Sequence, residues 1–143
     1  MDSQFSIASD LEHDGDGLVR YQIHAANAKF SGTTLTWGSA DDVEVLALAL
    51  KGFPKSLPTH EEVTFGSHRS GQCRLRFQTY DGLGHCSLWI EIEAEYPRRG
   101  SDKFQTASIY LETTPAQVDD FCLQLRRFER GLKNEAVLLC QEL

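Results

Sequence analysis

The stretch that decides the fold is QCRLRFQTYDGLGHCSLWIEIEAE, residues 72–95. Apolar residues alternate with polar ones on both sides of the segment DGLG, residues 81–84. Alternation with a period of two is typical of a half-buried strand, and two such runs around a short turn predict an antiparallel hairpin. The inner face of this hairpin then carries Cys73, Leu75, Phe77, Thr79, Leu88, Ile90, Ile92 and Ala94.

The length of the turn sets the register of this hairpin. If residues 81–84 form the whole loop, three cross-strand pairs follow: Leu75 with Ile90, Arg74 with Glu91, and Arg76 with Trp89. Each such pair contributes about 0.2–1 kcal/mol. A two-residue turn at residues 81–82 would change the partners but would leave every side chain on the same face. The inner and outer faces are therefore predicted in either register.

Further strands and two helices are predicted along the rest of the chain. The strands cover residues 4–9, 18–27, 30–37, 63–65 and 104–114, and strand is favoured over helix for residues 135–141. Helical spacing is found over residues 39–52 and 115–130. We therefore predict a single α+β domain over residues 1–143. In it, a curved antiparallel β-meander of about six or seven strands carries both helices on one face.

Capping patterns mark the start of each predicted helix. Ser39 followed by Asp42 resembles a capping box for the first helix. Thr114 as N-cap, Pro115 at the first position and Gln117 three residues after the cap predict the start of the second. The predicted buried stripe of the second helix is Val118, Phe121, Cys122, Leu125 and Phe128.

The composition narrows the class of protein. The chain has 143 residues, of which 41% are hydrophobic, and a formal net charge of −7. A nucleic-acid partner is not expected for this acidic chain, because phosphate binding needs clustered Lys and Arg. No apolar run approaches the ~18 residues that span a bilayer, and residues 1–10 lack the features of a signal peptide. The sequence predicts a cytoplasmic protein without membrane association, and its acidity suits a basic protein partner.

The segment DLEHDGDGLVRY, residues 10–21, begins like a calcium-binding EF-hand loop. Carboxylates alternate along its first half and Gly15 follows them, as the loop requires. The last position needs a bidentate Glu, but this chain has Tyr21 there, and the flanking residues alternate as strands do. We therefore predict a hairpin connection and no calcium site.

No other pattern predicts a cofactor, a metal or a catalytic residue. The four cysteines lack the spacing of a zinc or redox motif, and three of them fall on apolar faces. The segment HEEVT, residues 60–64, begins like the HExxH motif of zinc proteases, but Thr64 stands where the second His ligand is needed. Cys86 and His85 are neighbours in a strand, so their side chains point to opposite faces and do not easily share a proton.

Trp89 is the most informative residue of the outer face. A large aromatic side chain that faces solvent is unusual unless something packs on it. Stacking by Arg76 is one explanation, and contact with a protein partner or a second copy of the chain is another. Carboxylates also recur along this strand face, where they are expected to point to solvent. We predict a candidate interaction surface of Trp89, Glu91, Glu93, Glu95, Arg76, Asp41 and Asp42.

Several stretches together resemble the WapI-family immunity proteins, small bacterial proteins that neutralise a contact-delivered toxin. These stretches are AKFSG (residues 28–32), ADDVEVLALALKGF (residues 40–53), the strands CRLRF and LWIEIEAE, and TPAQVDDFCLQLRRFERG (residues 114–131). The resemblance implies a non-enzymatic protein that binds and neutralises a protein toxin. The acidity of the chain is consistent with a basic toxin. The resemblance transfers no catalytic motif, and no site residue is taken from it.

A second functional interpretation stays open at the level of sequence. A small enzyme or ligand-binding domain would have its pocket in the concavity between the sheet and the helices. A deep pocket lined by convergent polar groups would favour that interpretation. A flat acidic face with an exposed Trp89 would favour a binding protein.

Overall fold

Ten elements of secondary structure lie in the part of the chain that the structure, a computed structural model, describes: residues 3–9, 18–95, 105–128 and 134–141. In chain order they are β1 (Gln4–Ser9), β2 (Leu18–Ala26), β3 (Ser31–Ser39), α1 (Asp42–Leu50), β4 (His60–Gly66), β5 (Gln72–Thr79), β6 (Cys86–Glu93), β7 (Thr106–Thr113), α2 (Pro115–Arg126) and β8 (Asn134–Leu139). The connection predicted over residues 10–17 lies outside the described residues. The strands on either side of it, β1 and β2, pair as antiparallel neighbours.

The strands form two antiparallel sheets, so the predicted α+β class is confirmed. The first sheet has the order β3-β2-β1-β8 and the second has the order β4-β5-β6-β7. The single meander of six or seven strands is replaced by eight strands in two sheets, because the consecutive strands β3 and β4 belong to different sheets. The closing strand β8 returns to pair with β1 of the first sheet. The strand predicted for residues 135–141 is thus confirmed. None of the described helices has the length and apolar character to cross a membrane.

The central hairpin has the predicted register. In β5 and β6, Leu75 pairs with Ile90 and Arg76 pairs with Trp89. The Tyr80 N–H donates to the His85 carbonyl oxygen at 3.1 Å, which closes the four-residue loop DGLG. The alternation of the sequence therefore predicts both faces of the hairpin correctly.

One apolar core joins the two sheets and the helices. Across the sheets, the rings of Tyr21 and Phe65 lie 6.1 Å apart, and Phe121 of α2 meets Phe5 of β1 at 5.9 Å. The inner faces of the strands and the buried faces of both helices contribute to the same cluster. Cys73, Cys86 and Cys122 are free and buried in it, so these cysteines behave as small apolar residues, as predicted.

The two sheets are also tied by polar contacts. The Thr34 hydroxyl of β3 donates to the Glu93 carbonyl oxygen of β6 at 3.0 Å. After β8, the Gln141 N–H donates to the Glu112 carbonyl oxygen of β7 at 2.8 Å. The second contact brings Gln141, which follows β8 of the first sheet, to the edge of the second.

The helices begin as their local sequences dictate, with one correction. α2 has the predicted capping box: the Gln117 N–H donates to the Thr114 hydroxyl, and the Thr114 N–H donates to the Gln117 side chain, both at 3.2 Å. α1 begins at Asp42, with Asp41 as N-cap, and not at Ser39. The reason is that Ser39 still belongs to β3, where it pairs with Leu18 of β2.

The helices also end close to the predicted positions. α1 ends at Leu50, and Gly52 follows with a φ of 69°, a conformation that glycine adopts without steric penalty. α2 ends at Arg126. The predicted continuation of α2 to residue 130 is not seen at residues 127–128, and residues 129–130 lie outside the described part of the chain.

Candidate interaction face

The outer face of the second sheet is formed by the side chains that alternate away from the core. β6 provides its centre, because Leu88 and Ile90 are fully buried while Trp89 between them points outward. We use the name outer face for this set within the described residues: His60, Glu62, Thr64, Gln72, Arg74, Arg76, Gln78, Ser87, Trp89, Glu91, Glu93, Thr106, Ser108, Tyr110 and Glu112.

Trp89 lies at the centre of this face and is 41% exposed. Its ring packs against Tyr110 of the neighbouring strand β7, with the ring centroids 4.9 Å apart and the planes inclined by 58°. This contact covers one side of the indole and leaves much of the rest open to solvent. A partly packed, partly exposed Trp is the form in which this residue is enriched in protein interfaces.

The arginines of the outer face are paired with carboxylates. Arg76 Nε lies 3.8 Å from Glu62 Oε2 on β4, on the opposite side of β5 from Trp89. Arg74 Nη1 lies 3.7 Å from Glu91 Oε2. Both pairs are about half exposed, so each contributes at most about 1 kcal/mol to stability. The guanidinium of Arg76 is directed to Glu62, and the ring contact of Trp89 is with Tyr110.

Glu93 is not the free carboxylate that alternation predicts. Its side chain is only 14% exposed, and Oε1 accepts hydrogen bonds from the Arg69 N–H and from His68 Nδ1, both at 2.7 Å. Arg69 has a φ of 75° in the turn between β4 and β5, which directs its N–H toward the sheet. Glu93 therefore anchors this turn, and a charge reversal here would disturb the fold as well as any interface.

The pH dependence of stability should report the role of Glu93. Burial opposes ionisation of this carboxylate, but the Arg69 N–H, His68 and the nearby charge of Arg74 outweigh burial and lower its pKa below the ordinary 4.5. The ionised form thus stabilises the fold above that ordinary value, and the contribution is lost as pH falls through the lowered pKa. We expect the difference in unfolding free energy between wild type and Glu93→Gln to shrink in acid. Chemical denaturation from about pH 8 to about pH 3 measures it, and a constant difference would contradict the assignment.

The structure separates the remaining predicted residues from Trp89. Asp41 and Asp42 lie where β3 meets α1, and the Asp42 carboxylate accepts the Ser39 N–H at 3.1 Å. Burial raises the pKa of Asp42, as does the neighbouring Asp41. Glu95 follows the end of β6 and is exposed. Asp41 and Asp42 therefore belong to the start of α1, and they do not extend the surface around Trp89.

Among the described residues, the side chains between the sheets and the helices form the apolar core described above. A depression of about 270 Å³ lies instead on the outer face, where β5, β6 and β7 run side by side. Its lining includes Arg74 and Glu91, which pair with each other. Within the described ranges, no group of three or more His, Cys, Asp or Glu side chains could hold a metal ion.

Sequence reasoning did not include in the candidate site the aromatic side chains that lie beside Trp89 or between it and the β5–β6 turn. Besides Tyr110, these are Tyr80 and His85, whose rings stack with centroids 6.1 Å apart and planes inclined by 18°. Tyr110 Oη also donates to Glu112 Oε1 at 3.2 Å. The outward direction of each side chain follows from alternation. The approach of Tyr110 to Trp89 requires the register between β6 and β7, whereas Tyr80 and His85 face each other across the β5–β6 turn.

Comparisons of the chain with protein family models, with curated proteins and with solved structures found no match. The functional argument therefore depends on the geometry and charge of the outer face.

Proposed function

We propose that this chain is a non-enzymatic binding protein whose outer face contacts a basic protein partner. The exposure of Trp89 at the centre of that face is the observation that carries the proposal. Trp contributes strongly to interfaces because it buries a large apolar area with few rotatable bonds. The surrounding polar and charged side chains suit the rim of such an interface.

The charges of the outer face support a basic partner. Within the described residues the face carries four carboxylates, on Glu62, Glu91, Glu93 and Glu112, and two guanidinium groups, on Arg74 and Arg76. The whole chain is acidic as well, with a formal net charge of −7. Complementary charge steers a basic protein to the face and disfavours acidic competitors.

The resemblance to immunity proteins gives the partner a class: a protein toxin that this chain would neutralise by covering its surface. The alternative, a small enzyme or ligand-binding domain with a pocket between sheet and helices, has less support. The described side chains in that space belong to one buried apolar cluster, whereas such sites need convergent polar groups in a cavity.

A co-expression experiment tests the proposed function. The products of the genes that flank this one are expressed singly and together with this chain in the same host. We expect one of them to be toxic alone and harmless with the wild-type chain, and we expect Trp89→Ala to lose that protection. Trp37→Ala is the matched control, because Trp37 is a similarly exposed Trp on β3 of the other sheet. Equal protection by both variants would count against the outer face.

A further inference from the structure

We propose that the surface between Trp89 and the β5–β6 turn binds an arginine side chain of the partner. The binding patch consists of Trp89, Tyr110, Tyr80, His85 and Glu112, which we call the aromatic–acidic patch. This inference rests on the proposed function, since it names the group on the partner that the face would recognise.

Two sets of side-chain contacts make up the patch. Trp89 packs on Tyr110, whose hydroxyl donates to Glu112 Oε1 at 3.2 Å. Tyr80 and His85 face each other across the end of the same hairpin and stack. Trp89 and Tyr80 are 41% and 51% exposed, so aromatic rings are accessible beside a carboxylate.

The patch is negative and has an unneutralised carboxylate. Glu62 and Glu91 of the same face already pair with arginines, whereas Glu112 has no cationic partner among the described side chains. Glu112 is half-buried, which strengthens its field in the patch. The pKa of Tyr80 is raised by partial burial and by the charges of Glu112 and Asp81. The pKa of Tyr110 is raised by partial burial and by Glu112.

The chemistry of the patch selects arginine among the cations that a protein can offer. A guanidinium group is planar and weakly hydrated, so it stacks on the faces of Trp and Tyr while its N–H groups donate to a carboxylate. A lysine ammonium is compact and strongly hydrated, and it gains less from an aromatic surface. The nearby Asp81 is already engaged, since it accepts from the Leu83 and His85 N–H groups and contacts the His85 ring.

The test uses a defined peptide probe and nuclear magnetic resonance of the ¹⁵N-labelled full chain. The probe is acetyl-GRGRGRG-amide, and its two twins carry lysine or the uncharged isostere citrulline in place of arginine. We expect the arginine peptide to shift the Trp89 indole N–H resonance in a saturable way. We also expect it to bind more tightly than the lysine peptide. The citrulline peptide should give no saturable shift.

Variants distinguish the patch from general charge attraction. Binding to the variants is followed through backbone amide resonances, since the variants at position 89 have no indole N–H. Trp89→Ala and Glu112→Gln should each weaken peptide binding by about fivefold or more, as loss of a partly desolvated cation–π or ionic contact predicts. Trp89→Phe keeps an aromatic ring and should retain most of the affinity. Glu91→Gln is the matched control, because it removes the same charge from the same face at a carboxylate that Arg74 already neutralises. Thermal melts of each variant confirm that it folds.

Three results would overturn the assignment of arginine. The first is that Glu91→Gln and Glu112→Gln weaken peptide binding equally. The second is that the citrulline peptide binds as tightly as the arginine peptide. The third is that peptide binding saturates without any shift of the Trp89 resonance. If the toxic partner still needs Trp89 while Glu112→Gln leaves its affinity unchanged, the arginine assignment fails and the proposed function stands. If the partner needs neither residue, the proposed function fails as well.

Discussion

Replacing Phe121 with alanine is expected to lower the free energy of unfolding by about 3–5 kcal/mol. Phe121 is fully buried at the centre of the apolar stripe of α2, and its ring meets Phe5 edge-on at 5.9 Å. Truncation removes a large apolar surface from the core and leaves a cavity between the helix and β1, which the close-packed surroundings cannot fill. Such a loss is a large part of the stability of a small domain.

A second residue of the same helix provides the control. Leu123 lies two positions away in α2 and is 51% exposed, so Leu123→Ala should change stability by less than about 0.5 kcal/mol. Urea denaturation of both variants measures the two values on a common scale. If Phe121→Ala were as stable as Leu123→Ala, the face of α2 that packs on the first sheet would be assigned wrongly.

Replacing Gly71 with alanine should destabilise the fold by about 3 kcal/mol or more. Gly71 has a φ of 90°, and an added Cβ would lie 2.0 Å from the Leu35 carbonyl oxygen. The first effect is backbone strain of about 1–2 kcal/mol, since a side chain is disfavoured in that conformation. The second is a clash with main-chain atoms of β3, which cannot rotate away as a flexible side chain can.

Two other glycines separate these effects. Gly52 has a φ of 69° but open space around it, so Gly52→Ala should show the backbone strain alone. Gly82 has open space and no positive φ, so Gly82→Ala should be close to neutral. The expected order of destabilisation is therefore Gly71, then Gly52, then Gly82. Equal destabilisation by Gly71→Ala and Gly52→Ala would show that Gly71 does not lie as close to the Leu35 carbonyl oxygen of β3 as described.

Local sequence patterns predict much of the fold. The register of β5 with β6 and the capping box of α2 depend on residues that are close in the chain, so both follow from alternation and capping chemistry. The pairing of β8 with β1 depends on residues far apart in sequence. A period of two reveals which face of a strand is buried but not which strand lies beside it. The same limit hides the division into two sheets.

The candidate site is likewise predictable from the sequence only in part. The outward direction of Trp89 follows from the alternation of β6, and the sequence predicts it. The contact with Tyr110 requires the pairing of β6 with β7, which the chain separates by a long connection. The engagement of Glu93 depends on the conformation of Arg69 in a distant turn. Alternation alone therefore predicts a free carboxylate where the structure has an anchored one.

The most direct test of the outer face compares Trp89→Ala and Trp37→Ala in two measurements, thermal melting and dissociation of the purified complex with the toxic partner. If the outer face is the interface, Trp89→Ala should weaken binding about 30-fold or more, mainly through faster dissociation. Its melting temperature should fall by no more than about 4 °C, because the substitution removes one cross-strand contact from a surface. Trp37→Ala should leave binding unchanged. A large drop in the melting temperature of Trp89→Ala with unchanged affinity for the partner would contradict the account.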